Sequence, residues 1–287
     1  MSRDRLLSLW QYPIPQHLIS RLMGLVANSE NPAIRDRFLN WFANRYGVNM
    51  AEAENPDLAS YRTFNEFFTR PLRAGARPID TDPHSIVSPA DGAISELGPI
   101  TNDAIMQAKG FSYSAQTLLG GDAARAAPFR DGNFITVYLA PKDYHRVHMP
   151  LAGTLREMIY VPGQLFSVNT RTANGVPGLF ARNERVVCIF DTAAGPMALV
   201  LVGAIIVAGI ATVWSGTVTP PAGPLQVTSF GAPQKPARLE KGAEAGRFLV
   251  GSTAIVLLPK GAARWDDALR AGAPLKMGQR IGAITQQ

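Results

Sequence analysis

One cysteine, Cys188, occurs in 287 residues. A disulfide within the chain is therefore excluded, and a cysteine-based metal site lacks ligands. In "RVVCIFD" the residue reads as a small buried hydrophobe. Charge is also scarce. Charged residues make up 17% of the chain against 46% hydrophobic ones, a balance that excludes a disordered protein. The net charge is +6, yet no zinc-finger pattern, RNP-like motif or dense Lys/Arg run accompanies it. That combination points away from nucleic acid and toward an anionic membrane surface.

The start, "MSRDRLLSLWQYPIPQHLISRLMGLVANS", lacks an apolar core followed by a small-residue cleavage site, so it does not read as a secretory signal. It reads as amphipathic. Leu18, Leu22 and Val26 share a helical face, with Ile19, Met23 and Leu25 beside it. Arg3, Arg5, Arg21 and Trp10 fit a helix lying among lipid headgroups. A spanning helix is lacking too. "MALVLVGAIIVAGIATVW", Met197 to Trp214, is 18 residues without a charge. It is dense in Val and Ile, holds Gly203 and Gly209, and follows Gly195-Pro196. Two buried strands joined by a tight bend account for it.

Residues 1 to about 70 carry helical periodicity. In "NPAIRDRFLNWFANRYG" the pattern runs through Ile34, Phe38, Trp41 and Phe42, and Gly47 offers a stop. "FNEFFTRP" predicts a short helix ended by Pro71. Beyond Ile86, short apolar runs alternate with Gly, Pro, Asn and Asp, the texture of many short strands. The expected class is α+β: a mostly antiparallel β catalytic domain, sandwich- or barrel-like, preceded by amphipathic helices. The expected division is a docking region at 1–70 and a catalytic domain at 71–287. A faint internal echo, "EKGAEAGRF" and "LKMGQRIGAI", repeats a Lys/Gly turn followed by a strand.

Histidines number four. His17 and His84 read as surface residues. His145 and His148, in "YLAPKDYHRVHMP", are spaced by three, but no further ligand stands near them, so acid–base chemistry is favoured over a metal. "FLVGSTAIVLLPKG" reads as one buried strand with Gly251-Ser252-Thr253 inside it. Asp91, in "SPADG", is a turn residue or an orienting carboxylate. Asp, His and Ser can form a proton-transfer triad whatever their chain order, although many Asp and Ser residues compete for those roles. An ordinary serine hydrolase would use the same three groups, but the G-x-S-x-G elbow is missing around Ser252. A non-catalytic membrane-docking barrel would explain the basic start and leave the His and Ser motifs unused.

"GST" ahead of a hydrophobic strand, with "SPADG", "DYHRVHMP", "FNEFFTRPLR", "KGFSYSAQTLLGG", "PGQLFSVN", "GLFARNER" and "TVWSGTVTPP", resembles phosphatidylserine decarboxylase proenzymes from about Tyr61 to Ile284. Two departures are Val250, where the family's well-known form has Leu, and the strongly apolar "GAIIVAGIATVW". The resemblance implies self-cleavage between Gly251 and Ser252 into a large chain 1–251 and a small chain 252–287. Asp91, His148 and Ser252 would be the self-cleavage triad, with Gly251 granting the backbone freedom that attack needs. Ser252 would become a pyruvoyl group, the sole cofactor expected, with no metal. Through a Schiff base it would decarboxylate phosphatidylserine to phosphatidylethanolamine, a step of phospholipid biosynthesis. His145 would be the proton donor and Ser167, in "LFSVN", a substrate contact. Expected partners are phosphatidylserine in an anionic membrane, the two chains of one precursor and a second copy in a homodimer, with no nucleic acid. The expected location is peripheral, on the cytoplasmic face of the cell membrane.

Overall fold

A computed structural model describes residues 3–108, 110–205, 209–219, 223–231, 237–249 and 252–285. Helices come first: α1 (Arg3–Ser8), α2 (Gln16–Ala27), α3 (Pro32–Tyr46) and α4 (Phe64–Phe68). Local chemistry sets the ends of α3. Asn31 accepts from the Ala33 N–H at the start, with Pro32 in the first turn. Gly47 closes it at φ 64°, the left-handed stop that the sequence pattern predicts. Phe42, Phe64, Phe67 and Phe68 pack with Leu39 into a separate aromatic core that joins α3 to α4.

The remainder is antiparallel sheet. The strands that frame the site are β1 (Gly92–Pro99), β2 (Asn133–Leu139), β3 (Arg146–His148), β4 (Gly153–Val161), β5 (Arg185–Thr192), β6 (Gly195–Val202), β7 (Ile210–Thr212), β8 (Glu244–Phe248) and β9 (Ser252–Leu258). The large sheet runs β4-β5-β6-β9-β2-β1, extended by Gln226–Ser229 and Arg238–Leu239 on β4 and by Pro274–Leu275 on β1. It is open at both edges among the described residues, so the architecture is a layered α+β fold and not a closed barrel. A smaller sheet joins β3, β8 and β7.

Strand periodicity explains the layers. In β9, Ala254, Val256 and Leu258 enter one core while Ile255 and Leu257 enter the other. β5 does the same, with Val186, Cys188 and Phe190 opposed to Val187 and Ile189. The central strands are thus covered on both faces, which is why they read as unbroken apolar runs. Cys188 is free and buried. The apolar stretch from Met197 resolves into β6 and β7, with residues 206–208 outside the described set. No helix among the described residues is long and apolar enough to cross a membrane.

One expectation is revised. The stretch from Phe248 to Leu258 is not a single strand interrupted by glycine. β8 ends at Phe248 in the small sheet, and β9 begins at Ser252 in the large one. Val250 and Gly251 lie outside the described residues. The chain changes sheets between Phe248 and Ser252.

Candidate active site

Ser252 is the first residue of β9. It faces Leu139 of β2 across the ladder, which buries it to 1% exposure. Its Oγ has no hydrogen-bond partner among the described residues. A buried hydroxyl without a partner costs stability and so calls for an explanation, of which a catalytic role is one. Ser252 lines a cavity of about 150 Å³. Phe42, Tyr46 and Phe68 close it from the helical side, and Ser167 reaches it from the segment after β4. The structure therefore brings Ser252 and Ser167 to one chamber, mainly apolar in its walls.

His145 sits behind that wall. Its ring stacks on Phe68 with centroids 3.9 Å apart and 23° between planes. Nε2 lies 3.1 Å from the Ala140 carbonyl oxygen, which can only accept, so Nε2 carries the proton. Nδ1 is buried with no partner among the described residues. Burial, reinforced by the nearby Arg70 charge, pushes this imidazole down to about 3, so it is neutral at neutral pH.

His148, at the end of β3, has the opposite tautomer. Nδ1 lies 2.8 Å from the Gly242 carbonyl oxygen and must donate to it. Nε2 is then the basic nitrogen, and it accepts from the Tyr144 hydroxyl at 3.0 Å. Burial lowers this histidine as well. Tyr144 is pushed up to about 12, chiefly by burial, and remains a phenol donor.

Asp91, directly before β1, is engaged elsewhere. Arg77 Nε meets its two oxygens at 2.8 and 3.1 Å. The Met277 N–H donates at 2.9 Å, and Lys276 Nζ stands 3.3 Å away. Burial would raise this carboxyl, but the Arg77 and Met277 bonds outweigh it and hold it below the usual range. No hydrogen bond among the described residues links Asp91 to His148 or His148 to Ser252. Arg77 is the stronger partner for the carboxylate, because it offers a bidentate fork with full charge. The tautomer-fixing contact to His148 comes instead from a main-chain carbonyl. Asp91 acts on both histidines through its charge, favouring their protonated forms.

The internal echo in the sequence has a structural use. Its two turns contain Gly242 and Gly278, both at positive φ, and both pack on Ile79. A Cβ at Gly242 or Gly278 would come within 3.0 or 2.6 Å of an Ile79 carbon. One turn supplies the carbonyl for His148 and the other supplies the Met277 N–H for Asp91.

A family model described as phosphatidylserine decarboxylase matches residues 64–283, and one described as PSD matches residues 6–47. The chain belongs to the phosphatidylserine decarboxylase family. It is 58% identical over 285 residues to the phosphatidylserine decarboxylase proenzyme of Pseudomonas putida strain F1, covering 99% of each chain. The proenzyme of Ectopseudomonas mendocina strain ymp is 59% identical over 281 residues, covering 98% of each chain. That of Pseudomonas aeruginosa strain LESB58 is 59% identical over 285 residues, covering 99% of each.

In this decarboxylase-family chain, several site residues escaped the sequence reading. Arg77, Lys276 and Tyr144 share a charged recess of about 190 Å³ with Asp91 and Arg70. Phe68 lines the Ser252 chamber and stacks on His145. Their only signals in the sequence are residue type and closeness to quoted motifs, such as Tyr144 directly before His145. His17 and His84 are exposed, as expected. Among the described residues no cluster of three or more His, Cys, Asp and Glu could hold a metal.

Proposed function

We propose that this protein is a self-processing decarboxylase acting on phosphatidylserine to give phosphatidylethanolamine and CO2. The observation that carries the reading is the buried Ser252 at the head of β9, its Oγ unpartnered among the described residues, in the wall of a mainly apolar cavity that opens to solvent. Family membership supplies the substrate class.

Maturation would begin with attack of Ser252 Oγ on the Gly251 carbonyl carbon. The C–N bond breaks as the C–O bond forms, the hydroxyl proton leaves to a base, and the amide becomes an ester with a free amine. Loss of the Ser252 Cα proton then expels Gly251 as a carboxylate and leaves a dehydroalanine. Water replaces its nitrogen, which departs as ammonia. His148 is the base we assign, since its tautomer presents Nε2 as a free lone pair once Tyr144 yields. Asp91 is assigned to stabilise the cation that forms, from its seat on Arg77. The resulting pyruvoyl carbonyl would be an electron sink for decarboxylation. Its site tolerates the conversion, since the Ser252 Oγ that departs with the Gly251 carboxylate has no hydrogen bond to lose among the described residues, and the Cβ left behind becomes a methyl beside mainly apolar walls. His145, neutral at rest with its Nε2 proton on the Ala140 carbonyl and its ring behind Phe68, is assigned to return a proton to the product carbon only after Phe68 moves aside and Nδ1 takes up a proton, and Ser167 is assigned to touch the head group.

Residues 1–70 are assigned to docking and 71–287 to catalysis, with the cut before Ser252. Leu6, Trp10, Leu18, Leu22 and Leu25 are 54–71% exposed on α1, α2 and the turn between them. Such a cluster suits insertion into an anionic bilayer, here assigned to the cytoplasmic face of the cell membrane.

The test is the intact mass of the purified protein beside Ser252→Ala, with phosphatidylserine turnover. Two chains, the smaller starting at position 252 with a blocked carbonyl terminus, are expected for the parent, and one inactive chain for the variant. A single uncut chain that still turns over lipid would overturn the reading.

A further inference from the structure

The extended segment from Gly163 to Ser167 carries Ser167 to the Ser252 chamber, and its two edges are held by different parts of the molecule. Gln164 and Phe166 bond to the catalytic body. The Gln164 N–H donates to the Arg182 carbonyl at 2.9 Å, and the Phe166 N–H donates to the Asn183 side chain at 3.1 Å. The alternate residues face the other way. They are bonded by side chains of the N-terminal segment. His17 Nε2 donates to the Gly163 carbonyl at 2.9 Å, Gln16 Oε1 accepts from the Leu165 N–H at 2.7 Å, and Gln11 Oε1 accepts from the Ser167 N–H at 2.8 Å.

The two glutamines also brace each other. Gln16 Nε2 donates to the Gln11 carbonyl at 2.8 Å, and Gln11 Nε2 donates to Thr172 Oγ1 at 3.2 Å. Gln11 is 3% and Gln16 7% exposed, unusual for glutamine, and every polar atom on both amides is used. Trp10, beside Gln11, and Leu18, two residues past Gln16, point outward and are 58% and 55% exposed. One short stretch therefore shows an apolar outer side to solvent and a polar inner side to the backbone that positions Ser167.

We propose that Gln11 and Gln16 are positioning residues that couple the seating of the N-terminal segment on a lipid surface to the order of the Ser167 side of the substrate chamber. This rests on the membrane-bound substrate proposed above. When the outer side is in lipid, α2 and the turn before it are immobilised, and the Leu165 and Ser167 amides are held in register. When it is not, the same hydrogen bonds are free to open and the chamber loses one wall. Substrate capture is then favoured where the substrate resides.

The experiment uses the full-length protein, vesicles of phosphatidylserine and phosphatidylcholine, and amide exchange of residues 162–169. Vesicles are expected to slow exchange of this segment in the parent. Gln11→Met keeps the length and packing of the side chain and removes both of its bonds. It is expected to undergo processing and bind vesicles normally, to exchange the segment about five- to tenfold faster, and to raise KM with little change in kcat. Trp10→Ala is expected to weaken vesicle binding while leaving exchange without vesicles at the parental rate. Should Gln11→Met fail to fold, Gln16→Met tests the same coupling at Leu165, and the parent with and without vesicles needs no variant. Parental exchange that ignores vesicles, or a folded Gln11→Met with parental exchange and KM, would overturn the proposal. A parent that turns over no phosphatidylserine would remove the activity reading alone, because the exchange result decides the coupling without it.

Discussion

The Phe68 ring covers His145 at 3.9 Å, and the same Phe68 side chain lines the Ser252 chamber. One aromatic residue thus seals the histidine from water and shapes the space beside the serine. Phe68→Ala would open both. Water reaching His145 would weaken the burial that depresses its basicity, so the NMR titration midpoint of this imidazole is expected to rise from about 3 toward its ordinary value. The substitution is also expected to cost about 3–5 kcal/mol of stability by emptying an aromatic core position. Phe68→Leu should cost less and shift the midpoint less. An unmoved midpoint in a folded Phe68→Ala protein would show that the stack does not control the histidine.

Tyr144→Phe removes the hydrogen bond donated to His148 Nε2. That bond favours the neutral imidazole, so its loss is expected to raise the histidine's basicity modestly. A base works in its neutral form. The pH at which self-cleavage reaches half its maximal rate should therefore move upward. Conversion of uncut to cut protein over a pH series, read by gel or mass, checks this. A midpoint that moves down or stays fixed would contradict His148 as the base.

Arg77 and Asp91 are both buried, with side-chain exposures of 6% and 2%. Arg77→Met leaves a buried carboxylate with its main partner gone and is expected to destabilise by about 3–5 kcal/mol. Asp91→Asn added to it should recover a large part of that loss, because the uncompensated charge disappears. Urea midpoints of the two single variants and the double variant measure the coupling. Strict additivity would mean the pair is not energetically linked.

Acid should destabilise the fold in a definite window. His145 is held at about 3 against an ordinary 6.5, so the unfolded chain binds a proton there that the folded chain refuses. Its contribution is fully present above about pH 6.5 and is lost as pH falls toward 3. The slope reaches about 1.4 kcal/mol per pH unit. His148, also lowered, adds to the same window. Asp91, depressed below 3.8, adds a further loss only below that value. Unfolding free energies between pH 7.5 and 4 should fall steadily, and His145→Asn should flatten the decline by about one proton's worth.

Much of this architecture was legible in local patterns. The α3 periodicity with its Gly47 stop, the unbroken apolar runs of β5, β6 and β9, and the reading of Met197 to Trp214 as strands depend on neighbours in sequence. The start of β9 at Ser252 was not legible, since an apolar run does not reveal that the chain changes sheets between Phe248 and Ser252. The partners of the site residues were hidden for a similar reason. Arg77 and Asp91, Phe68 and His145, and Gly242 and His148 meet only through long-range packing. The expected Asp91–His148 contact illustrates the point. Residue types suggested a carboxylate for the imidazole, while the fold gives the carboxylate an arginine and the imidazole a main-chain oxygen. The Lys/Gly echo was visible, but its service to both residues required the turns to meet on Ile79.

β9 lies between β6 and β2, paired on both edges and buried at all seven positions. A break before Ser252 would remove no rung from either ladder, so the C-terminal piece would stay in place as a central strand without a covalent tether. Unfolding would then release two molecules where the precursor released one. Recovery would depend on protein concentration, and dilution would make it fail. The processed protein would owe its lifetime to a slow rate of opening, while only the uncut precursor could fold again unaided.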